Sequence, residues 1–424
     1  MSRLDEPDSD QSPTIGAISQ TTANEKEANE IRLLLLERPT CIYDALDQDN
    51  QERLAASAKL FYNAHMRAKR ERRRKDMISF AKFIAVCSFH EESKAWLSPK
   101  SDINFSRKLP VPGLARGYED IHVTEDGQIA LLVVGTALIN AALSISTLTS
   151  SPLFDLSKTY FVLTGVAGTN PKLATIGSVA IAKFAIQVDL QLEFDAREVP
   201  EEWGSGYVPF GAHSPDQFPE LLHGSEVFEL NASLRDYAIS VAKKVTLEDT
   251  PEAAENRALW RGVPGSFPAA ALGPRVVEGD VLSSNIFWHG HRLSEAMERV
   301  AKVFTSGQAE YVMTAMEDNA ILAGLLNAAL QKKVDFSRII LIRSASNFDR
   351  GHEDKPHQLP FVMDNGGLGP SARNLYLVAL KVVQGILEDW STRFETGIAP
   401  SNYVGDVFGS LGGASGFGPH RALN

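Results

Sequence analysis

The sequence has few cysteines, no long apolar run and no excess of positive charge, and each absence narrows what the chain can do. Its two cysteines, Cys41 and Cys87, are too few for a disulfide framework or a cysteine zinc site. No stretch of 18 apolar residues occurs, so we expect no membrane-spanning helix. The formal net charge of −11 argues against general nucleic-acid binding, which depends on neutralising phosphates.

Composition changes along the chain divide it into four segments. Residues 1–30 are polar and nearly free of aromatic side chains, which predicts a disordered tail. Residues 31–78 are predicted to form a helical extension, whose basic block at 67–75 is either a nuclear-localisation or acidic-partner patch or a solvated helix end. A folded domain is predicted for 79–400, and a Gly-rich, disordered tail for 401–424. The start of the chain lacks signal-peptide features, so we expect a cytoplasmic protein, or a nuclear one if the basic block acts as a signal.

Within the predicted domain, short apolar runs alternate with helical patterns. The β-like runs lie at 83–87, 129–134, 160–164, 310–316 and 338–343. This alternation predicts an α/β fold with a largely parallel or mixed sheet and helices on both faces. The irregular segment 195–275, with one predicted helix near 232–245, is typical of a lid or a set of binding loops.

Polar or glycine residues follow each predicted strand, where an open α/β sheet binds its ligands. The candidates, in chain order, are Glu92, Asn140, the run Gly165, Val166, Ala167 and Gly168, then Met316 and Glu317, and finally Ser346, Asn347 and Asp349. The glycine run permits close approach of a ligand to the backbone, although a tight turn has the same requirement. Asp318 would suit the first turn of the following helix, or it would orient its neighbour Glu317.

A second group of candidates lies in "VLSSNIFWHGHRLSEA", residues 281–296. Phe287, Trp288 and His289 stand beside several hydroxyl groups, a combination that suits a heteroaromatic ligand. His289 and His291 lack a third ligand at metal spacing, so we predict neither a metal site nor a cofactor.

Carboxylates at separate strand ends indicate chemistry on a sugar. One carboxylate binds a vicinal diol through short, charge-assisted hydrogen bonds. Cleavage of a glycosidic bond also needs help for the leaving group and a base for water. Glu317, Glu92, and either Asn347 or Asp349 fill these roles, whereas the alternative for Glu92 is a solvated turn.

The order of several motifs resembles the fungal purine nucleoside permease family over about residues 80–400. These motifs are "FHEESKAW", "NAALSI", "FDLSKTYFVLTGVAGTNPKLATIGSVA", "EFDAREVP", "FWHG", "TAMEDNAIL" and "IRSASNFDR". The resemblance implies a relative of nucleoside phosphorylases and nucleosidases. Its expected fold is a single α/β/α sandwich of the nucleoside phosphorylase type with a mixed, partly barrel-like sheet.

The resemblance also implies roles for individual residues. Met316 and Glu317 match the pair under the ribose, Asn347 matches the group that assists the leaving purine, and Glu92 is similar to the acid near the attacking water. The 165–168 run looks like a glycine turn flanking the base. The expected catalytic residues are therefore Asn347, Glu92 and Glu317.

One segment departs from the family pattern and bears on the reaction. "GTALINAA", residues 135–142, stands where the family usually has "GEGEINAA", and it offers no arginine to hold phosphate. Hydrolysis of the N-ribosidic bond of a purine nucleoside is therefore the leading hypothesis over phosphorolysis. The alternatives are a repurposed enzyme of secondary metabolism that acts on a non-nucleoside ligand, and a non-catalytic nucleoside-binding or transport-associated protein. The expected partner is a small molecule rather than a nucleic acid or membrane, and self-association is expected by analogy.

Overall fold

The computed structural model describes residues 81–262, 267–352 and 366–418, with helical pieces at 48–49, 59–60 and 62–66. The chain divides into two compact units, Met1–Lys75 and Asp76–Asn424.

In the first unit, the short helical pieces agree with the helical pattern of the sequence. The predicted disordered tail at 1–30 and the basic block at 67–75 lie outside the described residues, as does 419–424.

In the second unit, thirteen of the described strands join into one sheet and two form a separate hairpin. The strands are β1 Phe83–Cys87, β2 Arg107–Pro110, β3 Asp120–Val123, β4 Ile129–Val133, β5 Tyr160–Thr169, β6 Val179–Ala182, β7 Phe184–Gln187, β8 Gln191–Glu193, β9 Tyr207–Pro209, β10 Val227–Glu229, β11 Val276–Glu278, β12 Asp280–Ser283, β13 Tyr311–Ala315, β14 Ile339–Phe348 and β15 Gly405–Asp406. The hairpin consists of β8 and β9.

The large sheet is mixed and partly closed on itself. Strand β5 pairs in parallel with β1 and with β14, and its end meets β13 in antiparallel orientation. From β5, one path runs through β14 to β6, and another runs through β13 and β12 to β7. The two paths meet at Lys183, the residue between β6 and β7. This ring of strands is the partly barrel-like sheet that the sequence resemblance implies.

Helices cover both faces of the sheet. The α-helices are α1 His90–Lys94, α2 Leu138–Ser150, α3 Ala232–Ala242, α4 Pro251–Ala258, α5 His291–Phe304, α6 Asp318–Leu330 and α7 Leu368–Glu388. Short 3₁₀ turns lie at Glu201–Trp203, Pro268–Ala271 and Phe336–Arg338, and a π-helical turn lies at Trp390–Phe394.

Alternate residues of the central strands enter two different hydrophobic clusters. Ile84 and Val86 of β1 pack in the cluster that contains residues of α2 and α6, whereas Phe83, Ala85 and Cys87 pack in the cluster that contains residues of α3 and α7. This is the two-residue period of a strand buried on both faces. The predicted α/β sandwich is therefore confirmed.

Two strands extend beyond their predicted ends. Strand β5 continues through Gly165–Gly168, and β14 continues through Ser346 and Asn347. The prediction of a glycine turn at 165–168 is wrong, because the backbone there stays paired with β14.

The Gly-rich C-terminal segment is folded where the structure describes it. Residues Gly405 and Asp406 pair with β10, and Phe417 is fully buried with its ring 5.6 Å from that of Phe184. The expectation of disorder is therefore wrong for 401–418, because an aromatic side chain among the glycines fills a gap in the core.

Candidate active site

A cavity of about 520 Å³ opens beside the extended ends of β5 and β14. Eleven predicted site residues line it: Glu92, Val166, Ala167, Gly168, Phe287, Trp288, Met316, Glu317, Ser346, Asn347 and Asp349. Gly165, Asn140 and His289 lie outside this lining. The structure thus brings residues from at least four separate chain segments to one cavity of a size typical for small-molecule sites.

Glu317 lies two residues after β13, at the N-cap of α6, and it accepts hydrogen bonds from neutral donors. Its Oε1 accepts a hydrogen bond from the Ala137 N–H at 2.9 Å, and its Oε2 accepts one from the Ser88 hydroxyl at 3.0 Å. Only 4 % of the residue is exposed, and that part faces the cavity. Each carboxylate oxygen keeps acceptor capacity for a ligand hydroxyl.

Glu92 lies in the short helix α1, and it is buried while its neighbour Glu91 is exposed. Its carboxylate accepts hydrogen bonds from the backbone N–H groups of Ser88, at 2.6 Å, and Val166, at 2.8 Å. Burial raises the pKa of Glu92 to about 7, against the lowering effect of Arg343 and these two N–H donors. A carboxylate with this pKa can accept a proton from water near neutral pH.

Ser88 joins the two carboxylates. Its backbone N–H donates to Glu92 and its hydroxyl donates to Glu317. The residue comes directly after β1, so the end of this central strand fixes both acids at once.

An arginine lies behind the two acids. Arg343 of β14 donates to Asp318 through Nε, at 3.0 Å, and through Nη2. Its Nη2 lies 3.8 Å from Glu317 Oε2, and its Nη1 lies 4.0 Å from Glu92 Oε1. All four charged residues are buried, so three carboxylates share one guanidinium.

Gly165 provides the space for that guanidinium. A Cβ atom at this position would lie 1.6 Å from Arg343 Nη1 and 2.8 Å from Glu92 Oε1. The absence of a side chain therefore serves the buried charge cluster rather than contact between a ligand and the backbone.

Asn347 faces the cavity farther along the same strands. Its Nδ2 donates to the Phe348 carbonyl at 3.1 Å, and its Oδ1 lies 3.0 Å from the Ser346 hydroxyl, which also reaches the Ala167 carbonyl. A Cβ on Gly168 would lie 3.1 Å from Asn347 Nδ2. Glu92 accepts a hydrogen bond from Val166, and Asn347 lies beside Gly168, two residues farther along β5. These two points of contact are therefore about 7 Å apart along the strand.

Asp349 lines the cavity, but its carboxylate is already engaged. It accepts hydrogen bonds from the Tyr311 hydroxyl at 2.6 Å and from Arg350 Nε at 2.9 Å. Burial of Tyr311, together with the Asp349 charge, raises the pKa of its hydroxyl well above the ordinary value. Asp349 is therefore better placed to hold the wall of the cavity than to bind a ligand.

Aromatic residues form the rest of the opening. Trp288 is 8 % exposed and forms part of a core cluster, whereas Phe287 is 62 % exposed at the cavity. Asn140 is exposed, and its Nδ2 donates to the Thr136 carbonyl at 2.8 Å.

Sequence reasoning missed Arg343 and gave Ser88 no role, while it placed Asp318 at the start of the following helix or as a support for Glu317. The one available signal for Arg343 is its position in the apolar strand "RIILIR", where a charge needs a buried partner. Residues 135–142 contain no arginine, but the fold brings Arg343 of β14 to within 3.8 Å of Glu317, the acid that accepts a hydrogen bond from the Ala137 N–H.

The helix that follows β4 begins at the same place. Ala137 has φ 77° and ψ 157° at the N-cap of α2, and the next N–H, of Leu138, donates to Asn285 Oδ1 at 3.0 Å. Two N–H groups at this helix start are therefore satisfied by Glu317 and Asn285. Such groups otherwise form an anion site.

Comparison with protein families gives a match over residues 81–399 to the purine nucleoside permease model. The chain belongs to the purine nucleoside permease family. A purine nucleoside permease of Candida albicans is 36 % identical over 343 residues, which is 80 % of this chain and 83 % of that protein. A probable purine nucleoside permease of Schizosaccharomyces pombe is 32 % identical over 73 % of this chain and 90 % of its own length.

Solved structures with similar folds have lower identity. The 5′-methylthioadenosine/S-adenosylhomocysteine nucleosidase of Neisseria meningitidis is 17 % identical, with a TM-score of 0.42, and the match covers 72 % of this chain and 99 % of that one. The futalosine hydrolase of Helicobacter pylori is 16 % identical, with a TM-score of 0.43, over 72 % of this chain and 98 % of that one.

Two kinds of feature are absent from the residues that the structure describes. None of the helices there is both long enough and apolar enough to cross a membrane. No group of three or more His, Cys, Asp or Glu residues in that part of the chain is arranged to hold a metal ion.

Proposed function

We propose that this member of the permease family hydrolyses the N-ribosidic bond of a purine nucleoside. The observation that carries the proposal is the joint presence of Glu92, Glu317 and Asn347 in one cavity with an aromatic opening. The family name indicates a purine nucleoside as the ligand. The two carboxylates and the amide are the groups that this bond cleavage needs.

Each of the three residues has a role that follows from its chemistry. Glu317 accepts hydrogen bonds from ribose hydroxyls. Glu92 takes a proton from water, whose oxygen forms a bond to the anomeric carbon as the bond to the purine nitrogen breaks. The electron pair leaves with the purine, and the Asn347 amide donates a hydrogen bond to it without needing a raised pKa. The departing base then takes a proton from solvent, and Glu92 releases its proton to solvent, which restores the carboxylate.

The charge of the site favours water over phosphate as the nucleophile. Three buried carboxylates face one arginine, and that arginine is paired with Asp318. The first N–H groups at the start of α2 are occupied by Glu317 and Asn285. A phosphate ion would meet net negative charge and few free donors, whereas the positive charge that develops on a ribosyl ring would be stabilised.

Product analysis tests the proposal. Purified protein is incubated with adenosine, inosine and guanosine, with and without phosphate, and the products are separated by chromatography. We expect free base and ribose at the same rate in both conditions. Release of ribose 1-phosphate would instead assign phosphorolysis, and no base at high enzyme concentration would refute catalysis.

Glu92→Gln and Glu91→Gln form a matched pair for the same assay. The first removes the buried base and is expected to lower the rate by about 100-fold or more. The second changes the exposed neighbour and leaves the rate unchanged.

A nucleoside-binding protein without turnover is the second candidate, and the permease name of the Candida albicans relative favours it. Calorimetric binding of a purine nucleoside without any base release would select this function over hydrolysis.

A further inference from the structure

Asp318 is a buried carboxylate that touches the site from behind. It is the first residue of α6, follows Glu317 directly, and has no exposed surface. Its two oxygens accept hydrogen bonds from Arg343 Nε and Nη2. The positive end of the α6 dipole adds to the stabilisation of its charge.

Arg343 stands near both pocket acids without donating to either. The distances of 3.8 Å to Glu317 and 4.0 Å to Glu92 exceed the hydrogen-bond range for nitrogen and oxygen. Burial alone would lower the pKa of Arg343, but Asp318 raises it above the ordinary value, so the guanidinium stays charged.

Both pocket acids accept their hydrogen bonds from neutral donors. Ser88 and Ala137 donate to Glu317, and Ser88 and Val166 donate to Glu92. A charged donor binds a carboxylate more tightly than a neutral one. Another contact must therefore keep Arg343 from donating to Glu317 and Glu92.

We propose that Asp318 is a positioning residue that withholds Arg343 from Glu92 and Glu317. Its bidentate pairing keeps the guanidinium 3.8 Å from Glu317 and 4.0 Å from Glu92, beyond the hydrogen-bond limit of about 3.2 Å. Their remaining lone pairs then stay available for ribose hydroxyls and water. The catalytic consequence rests on the proposed function, whereas the restraint on Arg343 does not.

Crystal structures of the full-length protein and of Asp318→Asn test the restraint without any activity measurement. We expect Arg343 in the variant to move to within about 3.2 Å of Glu317 or Glu92. An Arg343 that keeps its position would overturn the proposal. Absence of base release by the natural protein would refute the proposed hydrolysis but would not affect this result.

Kinetics separate positioning from a purely structural role. For folded Asp318→Asn we expect kcat to fall about 10- to 100-fold, because misplacement by about an ångström is sufficient for such a loss. The acidic limb of the pH–rate profile should move to lower pH. Glu92 faces Arg343, Glu317 and Cys87, and a closer guanidinium favours its ionised form. A structural role would lower the melting temperature and leave this profile in place.

A double-mutant comparison covers the case in which Asp318→Asn does not fold. Arg343→Gln and Asp318→Asn/Arg343→Gln are compared in nucleoside affinity, and the double variant lacks the unpaired buried charge. If Asp318 acts through Arg343, the two variants bind equally within about twofold. A further loss of more than about fivefold in the double variant would show an independent role and refute the proposal.

Discussion

Replacement of Ala137 by glycine is expected to stabilise the protein by roughly 1 kcal/mol. Ala137 has φ 77° and ψ 157°, a backbone region that is essentially restricted to glycine. Such a conformation destabilises a residue with a Cβ by about 1–3 kcal/mol. Glycine relieves this strain, but its greater conformational entropy in the unfolded chain lowers stability by about 0.4–1 kcal/mol.

The strained backbone has an identifiable restraint. The Ala137 N–H donates to Glu317, and the following N–H, of Leu138, donates to Asn285. Glycine preserves both hydrogen bonds because only the methyl group is removed. We therefore expect Ala137→Gly to keep its rate of base release while it gains stability.

Urea unfolding of Ala137→Gly and Ala142→Gly provides the measurement and its control. Ala142 lies inside α2, where the same substitution is expected to lower the free energy of unfolding by about 1 kcal/mol. The two variants should therefore move in opposite directions. A loss of stability in Ala137→Gly equal to that in Ala142→Gly would refute the positive φ at this position.

Three further predictions concern the buried charges and the C-terminal segment. Gly165→Ala places a Cβ 1.6 Å from Arg343 Nη1, so we expect the free energy of unfolding in urea to fall by at least about 3 kcal/mol. The control Gly273→Ala, which has open space around the new Cβ, should leave this free energy nearly unchanged. Burial raises the pKa of Glu92 from 4.5 to about 7, so its contribution to stability is present at low pH and is lost as pH rises through 7. The free energy of unfolding of Glu92→Gln, measured relative to that of the natural protein, should accordingly rise by roughly 2–3 kcal/mol between pH 5 and pH 8. A difference in this free energy that does not change with pH would contradict the prediction. Phe417→Ala should lower the free energy of unfolding by about 3–5 kcal/mol, since the ring is fully buried. An unchanged midpoint of urea unfolding would indicate that the C-terminal segment does not pack against the core.

The sequence was sufficient for the elements with a clear hydrophobic period. The strands at 83–87 and 129–134 and the helix near 232–245 lie close to their predicted positions. It was insufficient for β5 and β14, because the glycines and polar residues in their second halves resemble a turn. Only pairing between these two strands, which are distant in the sequence, keeps the backbone extended there.

The site shows the same limit at the level of single side chains. Strand ends located Glu92, Glu317 and Asn347, since parallel strands bring their carboxyl ends to one edge. Ser88 and Arg343 could not be assigned, because their roles depend on contacts with residues far away in the chain. The glycine at 165 illustrates the difference: its position was noted, but the guanidinium that requires it comes from β14.

The adjacent acids Glu317 and Asp318 show how neighbours in sequence acquire different chemistry. Glu317 completes the turn from β13 and faces the cavity, while Asp318 begins α6 and faces Arg343. Arg343 pairs with Asp318, and Glu317 accepts its hydrogen bonds from the neutral donors Ser88 and Ala137. Exchange of Asp318 for a neutral residue therefore alters Glu317 through Arg343, although the two acids share a peptide bond. The pair acts as one unit in which Asp318 holds the positive charge that makes a buried, ligand-accessible Glu317 possible.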